Sequence, residues 1–113
     1  MTFPQVVMAL MQAGVERYHT DLCRAEKIYY LPDGRSYLVG AEAVHGTPSQ
    51  HFSADGVAAA VHTIQAGKLS YAQFCEAIVA AGCVGYIVSL AGRRAVYYGR
   101  TGETYVEPFP PAK

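Results

Sequence analysis

Residues 71–107 read YAQFCEAIVAAGCVGYIVSLAGRRAVYYGRTGETYVE, and residues 3–39 read FPQVVMALMQAGVERYHTDLCRAEKIYYLPDGRSYLV. At a constant offset of 68 the two stretches align without gaps, and ten positions are identical: Gln5/Gln73, Ala9/Ala77, Ala13/Ala81, Gly14/Gly82, Tyr18/Tyr86, Leu22/Leu90, Tyr29/Tyr97, Tyr30/Tyr98, Gly34/Gly102 and Tyr37/Tyr105. Two stretches of this length and composition would share about three identities by chance in a search for internal repeats. The chain is therefore predicted to contain two copies of one structural unit.

Each copy begins with a helical pattern. In the first copy, Val7 and Leu10 recur at helical spacing and Gly14 suits the position after the last turn. In the second copy, Ser70 is a good N-cap residue and Gly82 ends the helix as Gly14 ends the first. Both copies are therefore predicted to start with a helix of about three turns.

The hydrophobic period then changes from helical spacing to two, which indicates strands. The predicted strands cover residues 17–22, 27–31 and 36–39 in the first copy, and residues 83–90, 94–99 and 104–107 in the second. The turns at Pro32-Asp33-Gly34 and at Arg100-Thr101-Gly102 place a glycine where a hairpin needs a positive φ. Each helix is thus followed by a three-stranded antiparallel meander.

The segment between the copies adds one more element. Residues 40–52 are rich in Gly, Pro, Ser and His and are predicted to form a loop, and a third helix follows from Ser53 or Asp55 to Ala66. The expected fold is an α+β single domain over residues 1–113, with the element order αβββ–α–αβββ and a pseudo-twofold axis. Repeat 1 covers about 3–39, the linker and extra helix about 40–68, and repeat 2 about 70–107. The two meanders either join edge to edge or stack face to face.

Two patterns suggest surfaces of interest. The strand that begins at Cys83 is apolar on both faces, so either the third helix or a partner chain is expected to cover its second face. Each middle strand also carries a Tyr-Tyr pair whose rings lie on opposite faces of the sheet. Tyr30 and Tyr98 each lie two residues after a branched apolar residue, and therefore on the same face of the strand as that residue. Both are predicted to enter the core. Tyr29 and Tyr97 are then predicted to lie on the second face, where exposed rings could stack on a ligand or a partner.

Composition excludes several classes of protein. The 113-residue chain is 51% hydrophobic and has nine basic and nine acidic residues, so it is predicted to be folded and lacks the positive charge of a nucleic-acid binder. A net charge of zero also weakens the repulsion between copies and favours self-association. No signal peptide is predicted at MTFPQ, and the apolar runs are far shorter than the about 20 residues that a membrane span needs. Cys23, Cys75 and Cys83 form no C-x-x-C pair, which favours free thiols and a cytoplasmic location.

Residues that could carry chemistry are few. His45 and His51 lie in the linker loop and are candidate ligand residues, but their spacing does not match a known metal site. Cys75 falls on the apolar stripe of its helix, which indicates a core position rather than a nucleophile. Neither catalytic residues nor a metal or other cofactor are predicted. The candidate ligand or partner surface consists of Tyr29, Tyr97, His45 and His51.

The chain resembles the YdfO-like family of small bacterial and prophage proteins of unknown function, some of which are labelled phage envelope proteins. The resemblance rests on the following segments: Ile64-Gln65-Ala66-Gly67-Lys68, Tyr71-Ala72-Gln73-Phe74-Cys75, Ala80-Ala81-Gly82, Val96-Tyr97-Tyr98 and Val106-Glu107-Pro108. It implies a duplicated α+β fold, and it implies no catalytic or binding residue.

The leading functional hypothesis is a non-enzymatic binding or interaction module that pairs with itself, as a homodimer, or with another protein. The alternative is a small-molecule-binding protein or enzyme whose site lies between the two copies and uses the loop histidines and a tyrosine hydroxyl. A pocket there that contains a histidine and a tyrosine within hydrogen-bond reach of each other would favour the alternative.

Overall fold

Three helices and six antiparallel strands make up the fold of residues 3–109. The computed structural model describes the backbone of residues 3–109 and the side chains of residues 4–109. The elements, in chain order, are α1 (Phe3–Gln12), β1 (Arg17–Asp21), β2 (Glu26–Tyr30), β3 (Ser36–Gly40), α2 (Ala54–Gln65), α3 (Tyr71–Ala80), β4 (Cys83–Ser89), β5 (Arg94–Gly99) and β6 (Thr104–Pro108). The predicted domain, residues 1–113, includes termini outside these ranges.

The helix ends are set by residues that the sequence singles out. Ser53 precedes α2, and its hydroxyl oxygen accepts a hydrogen bond from the Gly56 amide at 3.0 Å. Ser70 precedes α3 and forms a capping box with Gln73, in which each side chain bonds the other residue's backbone amide. After α3 the chain turns at Gly82 with a φ of +94°. The predicted starts of α2 and α3 are confirmed.

The six strands form one sheet in the order β3-β2-β1-β4-β5-β6. The two meanders therefore join edge to edge through an antiparallel β1–β4 pair, which decides between the two arrangements left open by the sequence. His19 lies opposite Ile87 in this pair, and Tyr18 lies opposite Val88. An offset of 68 also maps the β1–β2 register onto the β4–β5 register, and the β2–β3 register onto the β5–β6 register.

The core lies between the helices and one face of the sheet, which we call the helix-covered face. Ile78 of α3, Val57 of α2 and Val88 of β4 are fully buried there. The rings of Tyr86 and Tyr97 fill the space between these aliphatic side chains, with their centroids 5.2 Å apart. Val7 and Leu10 of α1 pack against the edge of the same core.

The opposite face, which we call the open face, carries residues that were predicted to be buried. The assignment of the tyrosine pairs was wrong: Tyr97 is buried on the helix-covered face together with the half-buried Tyr29, and Tyr30 and Tyr98 lie on the open face. Of the two coverings that the sequence left open for the second face of β4, the third helix does not supply it. Ile87 stays 40% exposed on that face, because α2 lies beside α3 on the other side of the sheet.

The extra helix α2 packs on only one half of the molecule. It contacts α3 and β6, and His62 Nε2 lies 3.5 Å from Glu107 Oε1 of β6. On the other half, all five residues of β3 are exposed. A groove of about 400 Å³ runs there between α1 and the strands β2 and β3. The helix-covered face is therefore closed over β6 and partly open over β3.

Candidate functional site

A pocket of about 430 Å³ lies where the two halves and the linker meet. Its volume falls in the range of small-molecule sites. Its lining comes from three parts of the chain: Thr20, Leu22 and Ala25 of the first meander, residues 41–45 of the linker, and Tyr71, Ala72, Cys75 and Glu76 of α3. Because β1 pairs with β4 directly beneath α3, the fold brings these separate segments together.

Three hydroxyl groups lie at or below the floor of the pocket: Thr20 and Tyr86 are buried, whereas Tyr71 is 45% exposed. The Tyr71 and Tyr86 hydroxyl oxygens are 2.5 Å apart and share a hydrogen bond. Thr20 Oγ1 is buried and has no hydrogen-bond partner within residues 4–109. It is close to the Tyr86 hydroxyl and slightly opposes the rise that burial causes in the Tyr86 pKa, but the two groups do not meet at hydrogen-bonding geometry. A buried hydroxyl without a hydrogen-bond partner costs about 1–3 kcal/mol.

A lysine stands beside these hydroxyl groups. Lys27 Nζ lies 4.5 Å from the centre of the Tyr71 ring and 6.0 Å from that of Tyr18. Partial burial lowers the Lys27 pKa, and the Cys75 thiol opposes that shift. Lys27 forms no ion pair with any residue that the structure describes. Its cation is stabilised chiefly by the faces of the two rings.

Tyr71 and Cys75 are suited to hydrogen bonding rather than to the role of base or nucleophile. Burial raises the pKa of Tyr71 far above its ordinary value and also raises that of Cys75. Both side chains therefore keep their protons near neutral pH, and neither supplies an anionic base or nucleophile. Glu42 and Glu76 lie at the exposed rim, so the pocket has an acidic mouth and an apolar wall.

The open face is the second candidate surface. One residue from each strand forms a line across the whole sheet, which we call the central row: Leu38, Ile28, His19, Ile87, Val96 and Val106. Five of these six side chains are apolar. Leu38 is 62% exposed and Val106 is 44% exposed. No helix among residues 3–109 covers this row.

The one polar member of the central row is fixed in place. His19 Nε2 and the Tyr98 hydroxyl are 2.7 Å apart and form a hydrogen bond, and the two rings stack with their centroids 5.9 Å apart. Gly85 lies between them in the sheet, and a Cβ there would come within 2.4 Å of the Tyr98 hydroxyl. The absence of a side chain at position 85 therefore allows Tyr98 to reach across β4 to His19.

The structure separates the four residues that the sequence put forward as a ligand or partner surface. His45 lies exposed at the pocket and belongs to its lining. His51 is exposed elsewhere on the linker, next to Gly82. Tyr97 is a core residue, and Tyr29 packs against Tyr18 with a centroid distance of 5.4 Å. Only one of the four thus contributes to the pocket.

Sequence reasoning missed the polar residues at the pocket floor, although the repeat contains a signal for them. On the helix-covered face, Thr20 of the first copy corresponds to Val88 of the second, and Lys27 corresponds to Ala95. A polar residue in one copy at a position that is apolar and buried in the other marks a place where the two cores differ. Both differences fall beside the pocket.

The described part of the chain contains neither a cluster of metal ligands nor a helix that could span a membrane. Within it, no three His, Cys, Asp or Glu side chains are grouped so that they could hold a metal ion. None of the helices α1 to α3 has the length and apolar content needed to cross a membrane.

The fold and the two surfaces define a mixed α/β domain with an internal pocket and one open sheet face. The chain belongs to the family described as "Protein of unknown function (DUF1398)", whose model matches residues 1–108. The match establishes a family of unknown function, which agrees with the sequence resemblance at that level.

The chain is also similar to mycobacterial proteins. It is 28% identical over 108 residues to the uncharacterized protein Mb2035 of Mycobacterium bovis and, at the same identity and length, to the uncharacterized protein Rv2012 of Mycobacterium tuberculosis. The matched region covers 95% of this chain and 66% of each relative. This chain thus spans just under two thirds of the length of these relatives.

Proposed function

We propose that this protein is a non-enzymatic binding module that holds a small, largely apolar molecule in the pocket between its two halves. The unpaired Thr20 hydroxyl at the pocket floor is the observation that carries this proposal. Buried polar groups in native proteins are almost always hydrogen-bonded, so a buried hydroxyl beside a pocket suggests a partner that binds there. The ligand would present apolar surface to Leu22 and Ala72, and it would offer a hydrogen-bonding group to Thr20 Oγ1 once the Thr20 side chain turns toward the pocket.

A catalytic version of the same site has weaker support. His45 and Tyr71 both line the pocket, which is the arrangement expected for a small-molecule site between the copies. No hydrogen bond joins them within the described residues. The raised pKa of Tyr71 also argues against its hydroxyl acting as a base near neutral pH.

The proposal is tested by fluorescence titration with N-phenyl-1-naphthylamine, a neutral apolar probe that becomes bright in apolar surroundings. Ala72→Trp places a large side chain in the pocket from the exposed side of α3. Ala80→Trp is the matched control, because Ala80 is exposed on the same helix and does not line the pocket. We expect binding by the wild-type chain, a loss of affinity of about tenfold or more in Ala72→Trp, and a change of less than about twofold in Ala80→Trp.

Two results would contradict the proposal. One is the absence of probe binding by the folded wild-type chain at millimolar probe concentration. The other is an equal loss in the two tryptophan variants, which would place the probe on another surface of the molecule.

We also propose an evolutionary origin for the chain and a location for it in the cell. We infer that the two halves arose by duplication, and their equivalent strand registers at an offset of 68 support this. We also infer a YdfO-like, prophage-related origin from the segments around Gly67 and Gly82, and a cytoplasmic location from the three free thiols. Iodoacetamide labelling of the protein in intact bacteria would test the location, since thiols in an oxidising compartment would be found blocked.

A further inference from the structure

We propose that the open face binds the same face of a second copy of this chain, with central row against central row. A contiguous apolar patch that no element of the fold covers often marks an interaction site. The row crosses all six strands, and its two outer members, Leu38 and Val106, are substantially exposed. Two sheets that stack through such faces form a β-sandwich with the apolar side chains between them.

The charges beside the central row favour a second copy as the partner. On one side of the row lies a basic flank, which consists of Tyr30, Arg17, Ser89 and Arg94. On the other side lies an acidic flank, which consists of Glu26, Asp21, Gly85 and Tyr98. Arg17 also forms an ion pair with Glu16, and Glu26 forms one with Arg24. Arg17 and Arg94 lie on one side of the apolar line, and Asp21 and Glu26 lie on the other.

A twofold axis that runs along the central row would exchange the two flanks. Each strand of one copy would then lie over the same strand of the other. Arg17 and Asp21 lie on β1 at equal distances on either side of His19. Arg17 of one copy would therefore face Asp21 of the other, and the contact would occur twice in the dimer.

A twofold axis that runs along the strands gives a different arrangement. It would place β1 of one copy over β4 of the other. The basic flank of one copy would then face the basic flank of the other, and the acidic flank would face the acidic flank. Arg17 would then face Ser89, and Asp21 would face Gly85. Only the first arrangement pairs opposite charges, so we assign the axis to the direction of the central row.

The size of the face sets the expected affinity. Six strands span about 24 Å and five residues extend about 17 Å along each strand, so each copy contributes about 400 Å² of flat area. Two copies together contribute about 800 Å² of flat area, which is below the roughly 1,200 Å² at which standard specific interfaces begin and within the range of weak, transient ones. We therefore expect a weak dimer with a Kd of about 10–100 µM, which makes the concentration range of the experiment important.

The first test is sedimentation equilibrium between about 5 and 500 µM. Ile87→Glu places a charge at the centre of the row, and we expect it to raise the Kd about 30-fold or more. Met11→Glu is the matched control, since Met11 is an exposed apolar residue of α1. We expect its Kd to stay within about threefold of wild type. A wild-type chain that is monomeric throughout this range would overturn the proposal. So would a dimer that Met11→Glu breaks and Ile87→Glu does not.

The second test examines the direction of the axis. Arg17→Glu would set a new carboxylate against Asp21 of the other copy at both contacts, and we expect the Kd to rise about tenfold. The double variant Arg17→Glu, Asp21→Arg restores opposite charges, and we expect it to return within about threefold of wild type. Asp21 also accepts hydrogen bonds from the Cys23 and Arg24 amides, so the wild-type Kd is measured in parallel at increasing salt and should rise. An unchanged Kd in Arg17→Glu together with no salt dependence would overturn the assigned axis.

Discussion

Equivalent positions in the two halves differ in their depth of burial. Leu10 of α1 is half-buried, whereas Ile78, its counterpart 68 residues later in α3, is fully buried. Tyr37 of β3 is 53% exposed, whereas its counterpart Tyr105 in β6 is partly buried and stacks on Tyr97. The same local sequence pattern has therefore produced the same elements with different amounts of packing.

The cause of the difference lies in the segment between the copies. Helix α2 packs beside α3 and over β6, so the second half has two helices on its sheet and the first half has only α1. The linker also docks on the second half: the Ser53 amide donates to the Ala81 carbonyl at 2.7 Å, and Phe52 packs against Gly99. The two halves thus share their strands and registers, while the segment between them determines which half holds the main core.

The largest difference between the two halves is expected in the stability that is lost when Ile78 or Leu10 is changed to alanine. Truncation of the fully buried Ile78 leaves a cavity and should cost about 3–4 kcal/mol of the free energy of unfolding. Truncation of the half-buried Leu10 removes less contact and should cost about 1 kcal/mol. Urea denaturation of the two variants measures both values. Equal losses would show that α1 is as well packed as α3.

The equivalent glycines Gly14 and Gly82 test the docking of the linker. Both have positive φ, so alanine costs about 1 kcal/mol of backbone strain at either position. A Cβ at Gly82 would also lie 2.4 Å from the His51 carbonyl oxygen, while one at Gly14 would meet nothing within 4 Å. We expect Gly82→Ala to lose about 2–3 kcal/mol and Gly14→Ala about 1 kcal/mol in the same assay. Similar losses would mean that the linker moves away at little cost.

Alkaline pH should destabilise the fold, in part through Cys83 of the second half. Burial raises the pKa of the Cys83 thiol to about 11, against about 8.5 for an exposed thiol. Between about pH 9 and 11 the unfolded chain loses this proton while the folded chain keeps it, so the free energy of unfolding falls as the pH rises. Cys83→Ala should flatten that fall by an amount on the order of 2 kcal/mol at pH 11. Urea midpoints at pH 8, 9, 10 and 11 provide the comparison, and parallel curves for the two proteins would contradict it.

The smallest expected change is an increase in the free energy of unfolding. Thr20→Val converts the residue to its counterpart Val88 and removes a buried unpaired hydroxyl, so the free energy of unfolding should rise by about 1 kcal/mol. The reverse change, Val88→Thr, should lower it by a similar amount. If Thr20→Val is destabilising, the hydroxyl has a partner within the fold, and the main support for a bound ligand is lost.

The elements of the fold were largely readable from the sequence because their signals are local. Ser70, Gly82 and Gly34 act through their own backbone or through neighbours a few residues away. The side of the sheet that the helices cover was not readable in the same way. Ile28 and Val96 are apolar although they lie on the open face, so their parity led to the wrong assignment of Tyr30 and Tyr98.

The pocket was harder to predict because it depends on contacts between distant segments. His45 was a reasonable candidate from its place in the linker, but its neighbours Thr20 and Tyr71 come from different halves. Their proximity follows from the β1–β4 pairing and the placement of α3 above it. The sequence left that pairing open, so it could not reveal which polar side chains would share one cavity.

The β1–β4 pair also bears on how the chain reaches this structure. Each meander pairs strands that are close in sequence, whereas β1 and β4 are separated by more than 60 residues, and closing so long a loop is slow. The second half holds its own main core, so we expect it to form the folding nucleus, onto which the first half adds as an extension of the sheet. Folding and unfolding rates of Ile78→Ala and Leu10→Ala would then give a high φ-value at Ile78 and a low one at Leu10. In that order of events, the linker keeps the first half, which has not yet folded, close to the edge of β4.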